Sequence, residues 1–395
     1  MRKGIGLPMA GDTNHPVLQW LEQQRPAMTD LLEKVVNIDS GSYNKAGVDA
    51  VGREFEAFFE GEGIPTDRVA HGDFGDCIRA FVSGGEGNRP VMLMGHRDTV
   101  FPDGEASRRP FTIDGDVAYG PGVADMKAGL VMNAFVLAAF KRFGGSPYPL
   151  MGLYTSDEEI ASPSSRPVIE DEAKQARAVF NAEPGRESGN VVTGRKGASF
   201  FKIRITGRPA HSGGQHEKGI SAIGELAAKI TALHKLTDYD LGTTVNVGII
   251  SGGSAVNMVA PLAQAEVDIR FKTMDARDAV WETVNEILDT SYVEGTSTEI
   301  IEHREFLPVQ PSDQSQEIFE NYVSAGADVG LTIAGEFSGG SADSGFTSQV
   351  GCPTVCGTGP VGGRAHTPEE FMRLDTMVPR AKTVALAILR MGGQN

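Results

Sequence analysis

Three short runs with almost no polar residue constrain this chain more than any other feature. Pro90-Val-Met-Leu-Met-Gly95, Leu150-Met-Gly-Leu-Tyr154 and Ala178-Val-Phe180 each give way to a polar motif. A run that short, with no polar face, reads as a strand covered on both sides, as in a mostly parallel sheet. Helical patterns lie around the runs. Residues 127–143 are rich in Ala, Leu and Val, and residues 46–60 carry Val48, Val51, Phe55, Phe58 and Phe59 on one side. Gly61, Gly63 and Pro65 stop that second pattern. Residues 16–37 give a third helical pattern, with Pro26 inside it. Strands alternating with helices predict an α/β layer architecture.

The pattern changes near Thr193. Strands are expected at 200–205, 244–250, 263–271 and 298–302, and helices at 219–236 and 275–288. The order β-α-β-β-α-β is that of a ferredoxin-like sandwich. A chain of 395 residues is also long for one core. We therefore expect a large domain over 1–194 and 307–395, with a smaller α+β domain inserted over 195–306. The large domain resumes with a helix near 313–325, a strand at 353–356 and a helix near 374–391. The sequence leaves open whether the inserted domain swings; hinges for such a motion would lie near 193–197 and 304–310.

Composition excludes some functions. A formal net charge of −16 repels phosphate backbones, which argues against nucleic-acid binding. The N-terminal MRKGIGLPMAGDTNHP lacks the apolar run of a signal peptide. No stretch of about 18 apolar residues is apparent, so no membrane span is expected. Three cysteines, Cys77, Cys352 and Cys356, fit a reducing cytoplasm. The flanks of Cys352 and Cys356 read as a buried strand, so that pair is taken as structural. Gly357-Thr-Gly359-Pro-Val-Gly362 fits G-x-G-x-x-G formally, but Pro360 and the missing βαβ context argue against a dinucleotide site.

Five motifs carry chemistry. Gly95-His96-Arg97-Asp98 follows the first apolar run, and in an extended His-x-Asp both side chains point to one side. One can bind a metal while the other holds the second ring nitrogen. Asp125 sits in the Pro/Gly loop 120–125, just before a helix. Asp157, Glu158 and Glu159 follow the second run; three successive acids repel one another and need a cation. Glu183 follows the third run, and His366 follows the glycine loop 357–363. Taken singly, each motif reads equally well as a cap or a solvated turn. Together they offer imidazoles and hard carboxylate oxygens, the ligands of two divalent ions. Zinc suits them best; manganese or cobalt fits the same set.

In its order His-x-Asp, Asp, Glu-Glu, Glu and His, the chain resembles the M20 family of metallohydrolases, most of all its glutamate-carboxypeptidase branch. The resemblance runs from about residue 90 to 372. It implies a mixed-sheet catalytic domain with the inserted ferredoxin-like α+β domain as lid and dimerisation module, hence a homodimer. It implies that His96 and Glu183 bind one metal, Glu159 and His366 the other, and that Asp125 bridges both. Glu158 matches the family's general base, and Asp98 the residue that orients His96. A cis peptide after Asp125 is also implied. In the inserted domain, His211 matches a histidine that reaches a neighbouring subunit's site. Asn257 and Arg270 match residues that hold the substrate's carboxylate, a task suited to arginine's planar fork. Gly340-Ser-Ala-Asp343 resembles a glycine-rich loop near the metals.

The expected reaction is hydrolysis of an amide C–N bond in a small carboxylate-bearing substrate, an N-acyl amino acid or peptide. Arg97 departs from the family pattern, and Arg108 and Arg109 add positive charge. If they line the pocket, the substrate is more anionic, which would suit an aminohydrolase releasing ammonia from a nitroanthranilate-type aromatic amine. If Arg97 instead points to solvent or pairs with an acid, that signal falls away. A reading of another class is a non-catalytic metal-binding dimer.

Overall fold

The computed structural model describes residues 13–85 and 87–392. Most of the N-terminal segment read above, residues 1–12, lies outside them. The chain forms two compact units. One holds residues up to Gly194, Pro311–Phe337 and the chain from Phe346; the other holds Arg195–Gln310 and Ser338–Gly345.

The large unit is built on an eight-stranded mixed sheet. Its strand order is Thr66–Val69, Cys77–Val82, Leu150–Thr155, Val91–His96, Ala178–Asn181, Thr354–Cys356, Val191–Arg195 and Gly335–Ser338. The three apolar runs lie side by side at its centre. Val91–His96 pairs in parallel with Leu150–Thr155 on one side and Ala178–Asn181 on the other. Every residue of these three strands is buried. Their carboxyl ends are therefore aligned, which is where open α/β sheets bind ligands.

The helix Ala128–Arg142 packs in the core with Leu130, Val131, Phe135, Leu137 and Phe140 all buried. The stretch Val123–Arg142 is long and apolar enough to cross a membrane by length and composition, but 94% of its apolar 18-residue window is buried inside the fold. Its hydropathy is that of a core helix. The pattern at 16–37 is two helices, Pro16–Glu22 and Arg25–Val36. Pro26 lies in the first turn of the second, where its missing N–H costs nothing.

The small unit is a four-stranded antiparallel sheet in the order Thr244–Gly252, Leu262–Phe271, Gly197–Thr206 and Ser297–Phe306. The helices Ala222–His234 and Met274–Asp289 pack on it around Ile203, Leu226, Ile269, Trp281 and Val284. In chain order this is β-α-β-β-α-β, with the sheet order of a ferredoxin-like sandwich. The last strand is longer than the expected 298–302. It lies on an edge, where exposed residues such as Glu299 and Glu302 hide its periodicity. The unit runs four residues past 306 and takes in Ser338–Gly345, so the Gly340–Asp343 loop belongs to it rather than to the large unit.

A third sheet of short strands, unforeseen in the sequence, completes the large unit: Gly362–Gly363, Phe371–Arg373, Val117–Tyr119 and Thr112–Asp114. It clamps both ends of the loop that bears His366.

Candidate metal centre

The central strands deliver their polar residues together. His96 is the last residue of its strand and pairs in register with Thr155. Glu158 and Glu159 form a single helical turn, Glu158–Ile160, three residues beyond Thr155. Glu183 lies two residues past Asn181. Asp125 precedes the core helix in a turn with non-helical angles, and the Asp125–Met126 peptide is cis. His366 comes from the short-strand sheet with a left-handed φ of 65°.

Asp125 joins two imidazoles. Its Oδ1 lies 3.2 Å from His96 Nε2, and its Oδ2 lies 3.3 Å from His366 Nε2. Glu183 Oε1 and Glu158 Oε2 stand 3.7 and 3.9 Å from His96 Nε2, and Glu159 Oε2 stands 3.1 Å from His366 Nε2. Ligand atoms of His96, Asp125 and Glu159 lie within 4.8 Å of one another, as do those of His96, Glu158 and Glu183. All six motif residues thus converge.

The electrostatics are those of crowded acids sharing protons with imidazoles. Burial works against charge on His96, but Glu158, Asp125 and Asp98 outweigh it and raise the imidazole well above its ordinary range. Burial likewise opposes the Asp125 carboxylate, yet His366 and His96 hold it well below the usual range. Glu159 is pushed up to about 7 by burial and by the Asp125 charge. His366 is pushed up to about 10 by its hydrogen bonds to Asp125 and Glu159. Glu159 Oε1 is buried with no hydrogen-bond partner. An orphaned carboxylate oxygen among crowded acids is unfavourable without a cation. The donors, hard oxygens and imidazoles with no thiolate, fit divalent ions.

Asp98 does more than face His96. Its main-chain oxygen lies 3.0 Å from His96 Nδ1 and its Oδ1 lies 3.3 Å away. The same carboxylate accepts the N–H groups of Glu158 and Glu159, each at 3.1 Å, and the Ser42 hydroxyl at 2.6 Å. Asp157 turns away from the centre: its oxygens accept Ser164 N at 2.6 Å and Ser165 N at 3.3 Å, capping the next helix.

Arg97 does not line a substrate pocket. It is fully buried, and its guanidinium donates to the carbonyls of Thr155 at 3.2 Å, Val48 at 3.0 Å and Asp76. The reason is strand alternation: His96 and Asp98 face one side, so Arg97 faces the other, beneath the helix Lys45–Gly61. Arg108 and Arg109 both pair with Glu105, and Arg109 Nη1 also donates to Pro368 O at 2.6 Å. The three arginines provide no unpaired positive patch.

In the small unit, His211 Nδ1 accepts the N–H groups of Gly213 and Gly214, each at 3.1 Å. That places the ring proton on Nε2. Ser212 N donates to Asn257 O at 3.0 Å, so the two motif loops are adjacent. Arg270 is held by both Asp268 oxygens, at 2.7 and 3.0 Å, stacks over Phe200, and reaches Ser341 Oγ at 3.4 Å.

Glu370 was missed in the sequence. It is fully buried and accepts three main-chain N–H groups, from Gly122 at 3.1 Å, Ala124 at 2.8 Å and Asp125 at 3.0 Å. It holds the loop that presents Asp125. Its neighbour Glu369 is exposed; the two adjacent glutamates are indistinguishable by type, and only their place after His366 hinted at a role. Lys127, also buried, donates to Ile38 O at 2.9 Å, and burial pushes it down to about 7.

The chain is similar to known proteins along most of its length. Over 393 residues the chain is 27% identical to carboxypeptidase G2 of Pseudomonas sp. (strain RS-16), covering 98% of this chain and 94% of that protein. It is 33% identical to acetylornithine deacetylase of Proteus mirabilis (strain HI4320) over 221 residues, about half of each. The fold matches the M20 family metallo-carboxypeptidase Sso-CP2 of Sulfolobus solfataricus with a TM-score of 0.71 at 17% identity, over 93% of this chain and 99% of that one. The family described as Peptidase family M20/M25/M40 matches residues 92–390, which span the six converging residues and the inserted unit, and the chain belongs to it as an M20-type hydrolase.

Proposed function

We propose that the protein hydrolyses the amide C–N bond of an N-acyl amino acid or small peptide bearing a free carboxylate, using two divalent ions. One observation carries the reading: the two oxygens of Asp125 face two separate imidazoles, each flanked by further carboxylates. His96 and Glu183 would hold one ion, Glu159 and His366 the other, and Asp125 both. Zinc suits these ligands best, with manganese or cobalt as alternatives. Bound there, the ions would supply Lewis acidity toward a carbonyl and toward water.

The chain's own groups do the rest. Glu158 takes the proton of the attacking water and returns it to the departing nitrogen. Asp98 keeps His96 oriented and fixes the Glu158–Glu159 turn through its two main-chain contacts. By the family resemblance, His211, with its proton on Nε2, would donate to the developing oxyanion in a neighbouring subunit's site, and Asn257 and Arg270 would hold the substrate carboxylate. Asp268 occupies one edge of the Arg270 fork, so the carboxylate meets the other edge.

The test is a panel of N-acyl amino acids and dipeptides with protein loaded with each metal. Glu158→Gln should lower turnover by about 10²–10⁴-fold while the bound metal stays constant. Turnover at the wild-type rate would remove Glu158 from this role. Release of ammonia from aromatic amines, with no amino acid released from any amide, would favour the aminohydrolase reading instead. The paired arginines now give that reading less support.

The protein is further proposed to be a cytoplasmic homodimer. Its cysteines are free and buried, as suits a reducing compartment. The edge strand Thr244–Gly252 exposes Ile249 and Ile250, with Ile223 and Val256 also exposed in the same unit. Unpaired apolar edges are templates for strand pairing. Ile250→Lys should give a monomer by sedimentation, and a dimer unaffected by it would reject this surface.

A further inference from the structure

The large unit contains a cleft of about 710 Å³ beside the candidate metal centre. It is lined by residues 41–46 and 99–103 together with Glu159 and Ile160. Its Lys45 and Asp103, and Arg109 over its Phe101, are already engaged. Lys45 Nζ pairs with Asp49 at 3.0 Å and Asp76 at 2.8 Å and donates to Phe74 O at 2.8 Å. Asp103 accepts Asn44 Nδ2 at 2.6 Å. Arg109 lies over the Phe101 ring, 4.8 Å from its centroid, and is neutralised by Glu105. The apolar surface that remains comes from Tyr43, Val100, Phe101, Pro102 and Ile160. Tyr43 is 69% exposed and Val100 42%. Aromatic and aliphatic side chains exposed in a concavity, beside a few polar groups, are the usual lining of a small-molecule site.

Glu159 belongs both to this cleft and to the group around Asp125. A substituent in the cleft therefore lies next to the carbonyl being cleaved. We propose that the cleft takes the acyl half of the substrate, and that this half is bulky, uncharged and apolar, an aromatic or branched acyl group. An acetyl group is too small to cover Tyr43 and Val100. A succinyl-type group would bring a second carboxylate to a cleft whose cation, Lys45, is committed and whose lining includes Asp103 and Glu159. The assignment rests on the amide-hydrolase reading for the name of the bound half, but the cleft can be tested independently.

The experiment is calorimetric binding of acyl product acids to the zinc-loaded full chain. Phenylacetate should bind at least about tenfold more tightly than acetate, since several buried CH groups separate them. Succinate should bind no more tightly than acetate. Tyr43→Ala removes an exposed side chain, so folding is preserved, and should bring the phenylacetate-to-acetate ratio within about threefold; Val100→Asp should do the same. Equal binding of the acids by wild type, or a ratio that survives both substitutions, overturns the proposal. Hydrolysis of N-phenylacetyl and N-acetyl derivatives of one amino acid is measured alongside. Hydrolysis without preference sinks the cleft assignment and leaves amide hydrolysis standing. Selective phenylacetate binding with no amide hydrolysed sinks the reaction and leaves the cleft standing.

Discussion

Replacing Asp98 with Asn tests whether one buried carboxylate ties the imidazole side of the centre to its acidic side. Asp98 is fully buried and accepts Ser42 Oγ, Glu158 N and Glu159 N while facing His96 Nδ1. Asparagine keeps the shape but has one acceptor oxygen and no charge. With the amide oxygen toward Glu158 N, the amide nitrogen meets Glu159 N–H, donor against donor. Leaving a buried N–H unsatisfied costs about 1–3 kcal/mol, and losing the charge on the Glu158 contact costs about a further 1 kcal/mol. The Ser42 hydroxyl can turn and act as acceptor, so it adds little. A total near 3 kcal/mol corresponds to a fall in Tm of about 6–12 °C for a domain of this size. The same change loosens His96 and Glu159 together, so zinc affinity should fall about 10–100-fold. Calorimetric melting and competition with a chromophoric chelator read the two effects. Asp157→Asn is the control. It also breaks buried main-chain contacts and should lower Tm, but its zinc affinity should stay within about threefold of wild type, because its carboxylate faces Ser164 and Ser165. If Asp98→Asn melts at the wild-type temperature with unchanged zinc affinity, or if both variants lose zinc equally, the reasoning fails.

Three other outcomes follow from the structure. Glu370→Gln should weaken metal binding about tenfold or more through the Asp125 loop, and an unchanged chelator-competition curve would show that the three N–H contacts do not position it. Lys229→Met should destabilise the small unit by about 3–5 kcal/mol. It strands the buried Glu225 and removes donors from the carbonyls of Ile287, Leu288 and Thr290; denaturant melts check this, and a loss under about 1 kcal/mol would contradict it. Burial pushes the Cys352 thiol up to about 12, above its ordinary value, so the reactive thiolate is disfavoured in the native protein. It should resist a thiol reagent in the native protein and react after denaturation in urea; rapid native labelling at Cys352 would show that the strand is not closed.

The sequence by itself determined the two-unit plan and the six converging residues. Strands buried on both faces leave no polar position until they end, so His96, Glu158, Glu159 and Glu183 stand out directly after apolar runs. The β-α-β-β-α-β order was also legible, because its two central strands alternate and its helices carry one apolar face, although the exposed edge hid the length of the last strand. Residues 16–37 read as one helical pattern with Pro26 inside it; that Pro26 opens a second helix was not legible, since a proline fits either a kink or a first turn. Only the tertiary structure decided what lies across from each side chain. By sequence Arg97 reads as a candidate pocket residue because it departs from the family pattern; alternation turns it away from His96 but does not say what covers that face, and the helix Lys45–Gly61 does. Glu370 gained its role from loop N–H groups some 245 residues earlier in the chain, and Tyr43 and Val100 line one cleft only because two distant loops come together. Local pattern encodes direction and burial, whereas partners far apart in sequence exist only once the chain has closed on itself.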